Sequence, residues 1–195
     1  QNPKNIKADR ANCGFDFRHV FNASLVASSH FSLSNRLLAQ AVNHWQIAPL
    51  LHVQDGTPFL VKTGLDNSLT DTGNDRPNLT NPSAVYTHKK FQSGTASNAS
   101  YISASAFTPN ALGTFGTLGR NAFRGPKFLQ FDAAVSRSFP LHDTLQLIVR
   151  MDAFNVLNHP NFATPSSSLS SSTFGDITST VGDARIFQGV VKVTF

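Results

Sequence analysis

Hydrophobic and polar residues alternate along several stretches of this chain, most regularly over residues 128–158. Leu129, Phe131, Ala133, Val135 and Phe139 fall on one face of an extended segment, and Gln130, Asp132, Ala134, Ser136 and Ser138 on the other. Successive side chains of a strand point to opposite faces, so a period of two predicts a strand with one apolar and one polar side. Residues 140–143 supply a tight turn, because Pro140 fixes φ and Asp143 can bond its own backbone. After it Leu145, Leu147, Val149, Met151 and Ala153 share a face. Gln146, Arg150 and Asp152 lie opposite, with Ile148 interrupting the polar row. Each strand is about as long as one that crosses a bilayer at a tilt, roughly 9–11 residues.

The same period recurs elsewhere. Residues 15–28 read as a strand with Phe15, Phe17, Phe21, Ala23, Leu25 and Ala27 on one face. Residues 29–38 form a short connection, and a second strand covers 41–54, with Trp45, Ile47, Leu51 and Val53 opposite His44, Gln46, His52 and Gln54. Pro49 lacks a ladder donor, which implies an edge or a bulge there. Residues 59–61 resume the strand after a turn at 55–58. A last strand covers 186–195, in which Phe187, Gly189, Val191, Val193 and Phe195 alternate with Gln188, Val190, Lys192 and Thr194. About five strands result, starting at Phe15, Ala41, Phe128, Thr144 and Ile186.

Alternation alone leaves two environments open. A soluble sandwich turns the apolar face inward; a transmembrane barrel turns it to lipid and the polar face to the lumen. The connections favour the barrel. Residues 62–127 lose the period and are rich in Gly, Asn, Asp, Ser, Thr and Pro, and residues 159–185 are long and Ser-rich. Such long irregular segments are uncommon in compact soluble domains. Long loops on one side and tight turns on the other are usual in outer-membrane barrels. The terminal Phe195, in phase with the apolar face, points the same way, since termini ordinarily fray and are polar.

Composition narrows the function. Charged residues make up only 14% of the chain, against a usual figure of about 25%. The formal charge of +5 comes from scattered Lys and Arg, adjacent only at Lys89-Lys90, which argues against nucleic-acid binding. Cys13 is the only cysteine, so there is no internal disulfide and no cysteine-based metal site. No apolar run reaches the length of a transmembrane helix. Residues 1–10 are polar and lack the features of a signal peptide, so the chain is expected to be the C-terminal piece of something longer.

Chemistry-bearing motifs are sparse. The seven histidines show no zinc spacing; His44 and His52 share a strand face but stand about 26 Å apart at strand rise. No Ser sits in a nucleophile elbow and no Gly run has P-loop order. No cofactor and no catalytic residue is therefore expected. Asp66, Asp71 and Asp75 are a weak candidate for calcium without EF-hand order. Arg150 and Asp152 share a face, with Asp132 a candidate to meet them across the hairpin; such charges are costly in lipid and suit a lumen. The lumen-facing candidates are Gln130, Asp132, Gln146, Arg150, Asp152, Gln188 and Lys192. Arg120, Asn121 and Arg124, among glycines, are candidates for holding a loop on the barrel rim. Phe91, Tyr101, Phe107 and Phe115 are candidates for ligand contact or for packing the long segment against itself.

Several motifs together resemble the C-terminal end of TonB-dependent outer-membrane receptors, in particular the Oar-like group that carries a carboxypeptidase-regulatory-like domain. They are GTLGRNAFRGP (116–126), FDAAV (131–135), RMDAFNVLNHPNF (150–162), FGDI (174–177) and RIFQ (185–188), with DFRH (16–19), WQI (45–47) and GNDRPN (73–78) upstream. The resemblance spans nearly the whole chain; Asn43-His44 departs from it, standing where the group usually has a glycine. It implies that residues 1–195 are about the last five strands of a 22-stranded barrel, all-β and antiparallel, with long extracellular loops and short periplasmic turns. The plug and the TonB-contacting segment would lie in the missing part. It implies a non-catalytic receptor in the outer membrane of a Gram-negative bacterium, importing a bulky nutrient. Its partners would be outer-membrane lipid, the TonB complex, and the barrel-assembly machinery, which would read Phe187, Gly189, Val191, Val193 and Phe195. A passive porin or adhesin-like surface barrel is the alternative, and a soluble β-sandwich binding module a further one.

Overall fold

The structure is a computed structural model that describes residues 1–71, 73, 75–87, 100–142 and 144–195. Thr72 and Asn74 of the turn-rich run, Lys89-Lys90, Phe91 and Asp143 of the expected turn lie outside the described residues. In chain order the elements are β1 (Val20–Ser24), β2 (Ala27–Ser28), α1 (Arg36–Val42), β3 (Trp45–Gln54), β4 (Pro58–Phe59), β5 (Asn78–Leu79), β6 (Phe107–Thr108), β7 (Phe123–Arg124), β8 (Phe128–Pro140), β9 (Gln146–Phe154) and β10 (Ile186–Thr194). They fall into two compact units. A sheet unit takes His19–Gln54, Phe128–Pro160 and Gly182–Phe195; a loop unit takes Gln1–Arg18, Asp55–Lys127 and Asn161–Val181.

In the sheet unit β1, β3, β8, β9 and β10 lie side by side and antiparallel, and β2 pairs with β3 beyond the end of β1. This matches the five expected strands, with three corrections. The first strand begins at Val20 rather than Phe15 and breaks at Leu25-Val26. Those residues stand opposite Pro49 and Ala48, and Leu25 N–H reaches Pro49 C=O at 3.2 Å with no N–H to receive in return. Pro49 thus sits inside the sheet, facing Ala133 on its other side, and interrupts its neighbour instead of marking an edge. Second, the connection expected at 29–38 and the start of the strand at Ala41 contain α1. Asn35 caps this helix, accepting from Leu37 N–H at 3.0 Å and Leu38 N–H at 3.3 Å. Third, β9 starts at Gln146, after a turn in which Leu141 N–H meets Leu145 C=O at 2.9 Å.

His44 gives the departure at Asn43-His44 a physical meaning. Its φ is 68°, in the left-handed region that favours glycine. The need there is for a backbone angle that glycine adopts without steric cost.

The loop unit is irregular in its backbone, as expected, yet it has a hydrophobic core of its own. Phe59, Val61, Val85, Ile102, Ala106, Phe107, Leu118 and Phe174 form a buried core drawn from segments far apart in sequence. Phe107 stacks edge-on against Phe123 at 5.6 Å and Phe174 at 5.9 Å, and Tyr86 against Tyr101 at 5.4 Å. The short pairs β4–β7 and β5–β6 frame this core. Phe107 and Tyr101 therefore pack the segment against itself, one of the two roles open to them.

Candidate functional site

The register sorts the sheet's side chains into two faces. Ile47, Val135, Met151 and Gly189 stand in one cross-strand row, Trp45, Arg137, Val149 and Val191 in another, and Phe139, Leu147 and Val193 in a third. On the opposite face Gln46, Ser136, Arg150 and Val190 form one row, and Ala48, Ala134, Asp152 and Gln188 the next. The apolar face is exposed among the described residues of the sheet unit: Met151 is 57% exposed and Val191 68%, and the buried hydrophobic side chains among the described residues all belong to the loop unit. A contiguous exposed apolar surface of this kind marks a face that meets lipid or a partner.

On the polar face Arg150 and Asp152 pair locally. Arg150 Nη2 lies 2.7 Å from Asp152 Oδ1, and its Nε donates to the same oxygen at 2.8 Å. Asp132 does not join them across the hairpin. It accepts from Gln130 Nε2 at 2.9 Å and from the N–H of Asn155 at 2.8 Å. In register it stands opposite Leu50 on β3, one row beyond Ala134 and Asp152. Gln188 faces Asp152, Lys192 faces Ile148, and Gln146 faces Pro140 and Thr194. His52 adds Nδ1 to Asn22 Oδ1 at 2.5 Å and Nε2 to Gln54 Oε1 at 3.1 Å. The result is a hydrogen-bonded surface of amides with one ion pair, Arg150–Asp152.

In the loop unit Arg124 is a hub. Its Nη1 donates to the C=O of Asp16 and of Gly56, each at 3.0 Å, and its Nη2 pairs with the Asp16 carboxylate. Its own backbone is held by the hydroxyls of Tyr86 and Tyr101, which donate to its C=O at 3.3 Å. Burial, with Tyr86 close by, pushes the Tyr101 phenol up to about 12, so it stays a donor at all ordinary pH. Asn121, at φ 48°, donates to Asn12 C=O at 2.8 Å, and Arg120 is exposed. Arg124 and Asn121 therefore join residues 12–16 to residues 55–127, inside one unit.

Asp75 is fully buried. Ser68 donates to it twice, from its hydroxyl and its N–H, both at 2.6 Å, and Asn110 Nδ2 donates at 3.2 Å. Burial acts to raise the Asp75 pKa, but the bonds from Ser68 and Asn110 outweigh it and hold the carboxyl below its ordinary value. Asp66 turns its carboxylate onto the N–H groups of Thr70 at 3.0 Å and Asp71 at 2.7 Å. Asp66 and Asp75 are thus engaged as turn and core acceptors. Among the described residues no three His, Cys, Asp or Glu side chains are grouped to hold a metal ion.

A lowered carboxyl pKa gives stability that is complete above the unfolded value, about 3.9, and is lost as pH falls through the folded one. We expect Asp75→Asn to cost the loop unit about 1–3 kcal/mol, because an amide NH2 would face donors. Limited proteolysis of the full protein, read at residues 55–127, should show wild type losing protection below about pH 4 and the variant losing less on acidification. Identical acid profiles would remove Asp75 from this role.

The sequence model of the family described as Outer membrane beta barrel domain matches residues 1–188. The chain belongs to this family. No curated protein and no solved structure matches it. Membership places the chain among barrels of the bacterial outer membrane, in keeping with an all-β antiparallel sheet that leaves its apolar face open. Within this barrel domain β1 and β10 are the edges of the described sheet, and five neighbouring strands do not close a cylinder, which takes about eight. Sequence reasoning missed Arg137, which occupies a position in the apolar row of the barrel sheet; the gap between Val135 and Phe139 was the available signal. It also missed α1, signalled by Asn35 before the good helix formers Arg36, Leu37, Leu38, Ala39 and Gln40.

Proposed function

We propose that this barrel domain is the C-terminal part of a TonB-dependent receptor of the Oar-like group, importing a bulky nutrient across the outer membrane without covalent chemistry. The observation that carries the reading is the loop unit. Two long connections of the strands, residues 55–127 and 161–181, share one hydrophobic core, and residues 1–18 belong to the same unit, which suits a built platform for capturing a ligand better than the open mouth of a passive pore.

In this reading the apolar rows face lipid, and Gln130, Asp132, Gln146, Arg150, Asp152, Gln188 and Lys192 line the lumen, where paired charges are inexpensive. Further strands complete the cylinder, and an N-terminal plug occupies it. The long connections are extracellular and the turn after Pro140 periplasmic. β10, with Phe187, Gly189, Val191, Val193 and the following Phe195, is the segment that the assembly machinery reads. The test is a pull-down of the detergent-solubilised full-length protein with the periplasmic domain of its host's TonB. Retention by that domain is the expected result. Absence of retention, with no TonB-contacting segment encoded upstream of Gln1, sinks the receptor reading and leaves the passive or adhesin-like barrel.

A further inference from the structure

The connection between β2 and β3 exposes an apolar surface that is held rigidly in place. Residues of a helix advance by about 100° each, so Leu37, Ala41, Leu38 and Val42 of α1 lie on one continuous arc, with Arg36 and Gln40 opposite. Leu37 is 77% exposed and Leu38 55%, and Phe31 and Leu33 just before the helix are exposed as well. These positions do not fray. Asn43, buried, clamps Phe31 by accepting from its N–H at 2.5 Å and donating to its C=O at 2.9 Å.

Two side chains of the sheet's apolar face reach the helix. Trp45 Nε1 donates to Ala41 C=O at 2.9 Å, and Arg137 donates to Gln40 C=O. Trp45 and Arg137 stand opposite each other in one row, and the Arg137 guanidinium lies over the Trp45 ring at 5.1 Å and the Phe139 ring at 4.7 Å. The apolar arc is thus continuous with the face that an outer-membrane barrel turns to lipid. Residues 25–45 contain no Asp or Glu, while Arg36 stands on the helix face opposite the arc and Arg137 bonds the helix at Gln40. An apolar arc with a cation on the opposite face, and no carboxylate near it in sequence, suits anionic phosphates above acyl chains. Arg and Trp together are at home at headgroup level. Seven residues span about 10 Å, far short of a bilayer, so such a helix lies along the membrane and does not cross it.

We propose that α1, with Phe31 and Leu33, is an interfacial anchor. The Leu37–Leu38–Val42 arc sits at the acyl boundary, and Arg36 and Arg137 meet lipid phosphates. The inference rests on the reading of the apolar rows as lipid-facing. It is tested on the full-length protein, freed of other cysteines by changes such as Cys13→Ser and reconstituted in vesicles of phosphatidylethanolamine and phosphatidylglycerol. Nitroxide labels are placed singly through Leu37→Cys, Gln40→Cys and Val191→Cys, and relaxation by oxygen is compared with relaxation by a water-soluble nickel chelate. The expected result is a Leu37 label about 5–10 Å below the phosphates, a Gln40 label in reach of the chelate, and a Val191 label in lipid. A Leu37 label as open to the chelate as Gln40, or shielded from both reagents by protein, overturns the anchor. If the Val191 label still reports lipid, only the anchor fails; if it too lies outside lipid, the two-face reading fails with it.

Discussion

Met151→Arg should lower the stability of the full-length protein in a bilayer by about 2–4 kcal/mol, the range for a cation on the lipid face near the midplane. Met151 lies in the middle of β9, between Val135 and Gly189 in register, on the uncovered apolar face. An arginine there has no carboxylate in its row and no water within easy reach. Gln188→Arg, on the next strand, is the control. Gln188 stands opposite Asp152 on the polar face, so its replacement should change stability by no more than about 0.5 kcal/mol. Urea unfolding from phospholipid vesicles, followed by the gel-mobility difference between folded and unfolded barrel, measures both. Equal losses would show that the two faces meet the same medium. A loss confined to Gln188→Arg would invert the assignment.

Gly116→Ala should be nearly as damaging, in the other unit. A Cβ built on Gly116 would lie 1.7 Å from the C=O oxygen of Arg76 and 2.7 Å from that of Pro77, both backbone atoms that cannot swing away. Around this contact Leu118 N–H donates to Pro77 C=O at 3.0 Å and Thr117 N–H to Asn78 Oδ1 at 3.0 Å. One methyl group must push the two segments apart and break these bonds. Overpacking of 1–3 kcal/mol, plus about 1 kcal/mol for each bond, gives a loss of about 3 kcal/mol or more. Gly119→Ala, three residues on, meets nothing within 4 Å and should be close to silent. Protease protection of residues 55–127 separates the two variants, and the sheet should remain inserted in both. A silent Gly116→Ala would show that the GTLG and NDRPN stretches are not packed together.

These contrasts mark what the sequence could disclose. The two-residue period of 129–139 and 145–153 assigned each side chain to a face, and the register kept the assignment across β3, β8, β9 and β10. Such regularity is legible because it is local. The loop core was not, because Phe59, Val85, Ile102, Leu118 and Phe174 meet through contacts of long sequence separation that leave no period. The large number of phenylalanines, 17 in the chain, was the one compositional trace of it. Pro49 misled for a related reason: its missing donor was evident, but which neighbour would lose the bond depended on pairing not written locally. The GNDRPN and GTLGRNAFRG stretches looked like separate signatures and proved to be two sides of one contact at Gly116. Of the site candidates, Arg124 and Asn121 stood out by their glycine-rich surroundings, and their bonds join segments of the loop unit, whereas Asp75 stood out only as one acid among three.

The Arg124 hub carries a lesson for anyone wishing to exchange loops between relatives. Because its side chain and backbone gather residues 16, 56, 86 and 101 into a single knot, and Phe174 comes to the adjoining core from a third segment, none of the three described segments is an independent module. A chimera that exchanges one segment would import a surface without the interior that shapes it, so the heritable unit is the trio of segments taken at once.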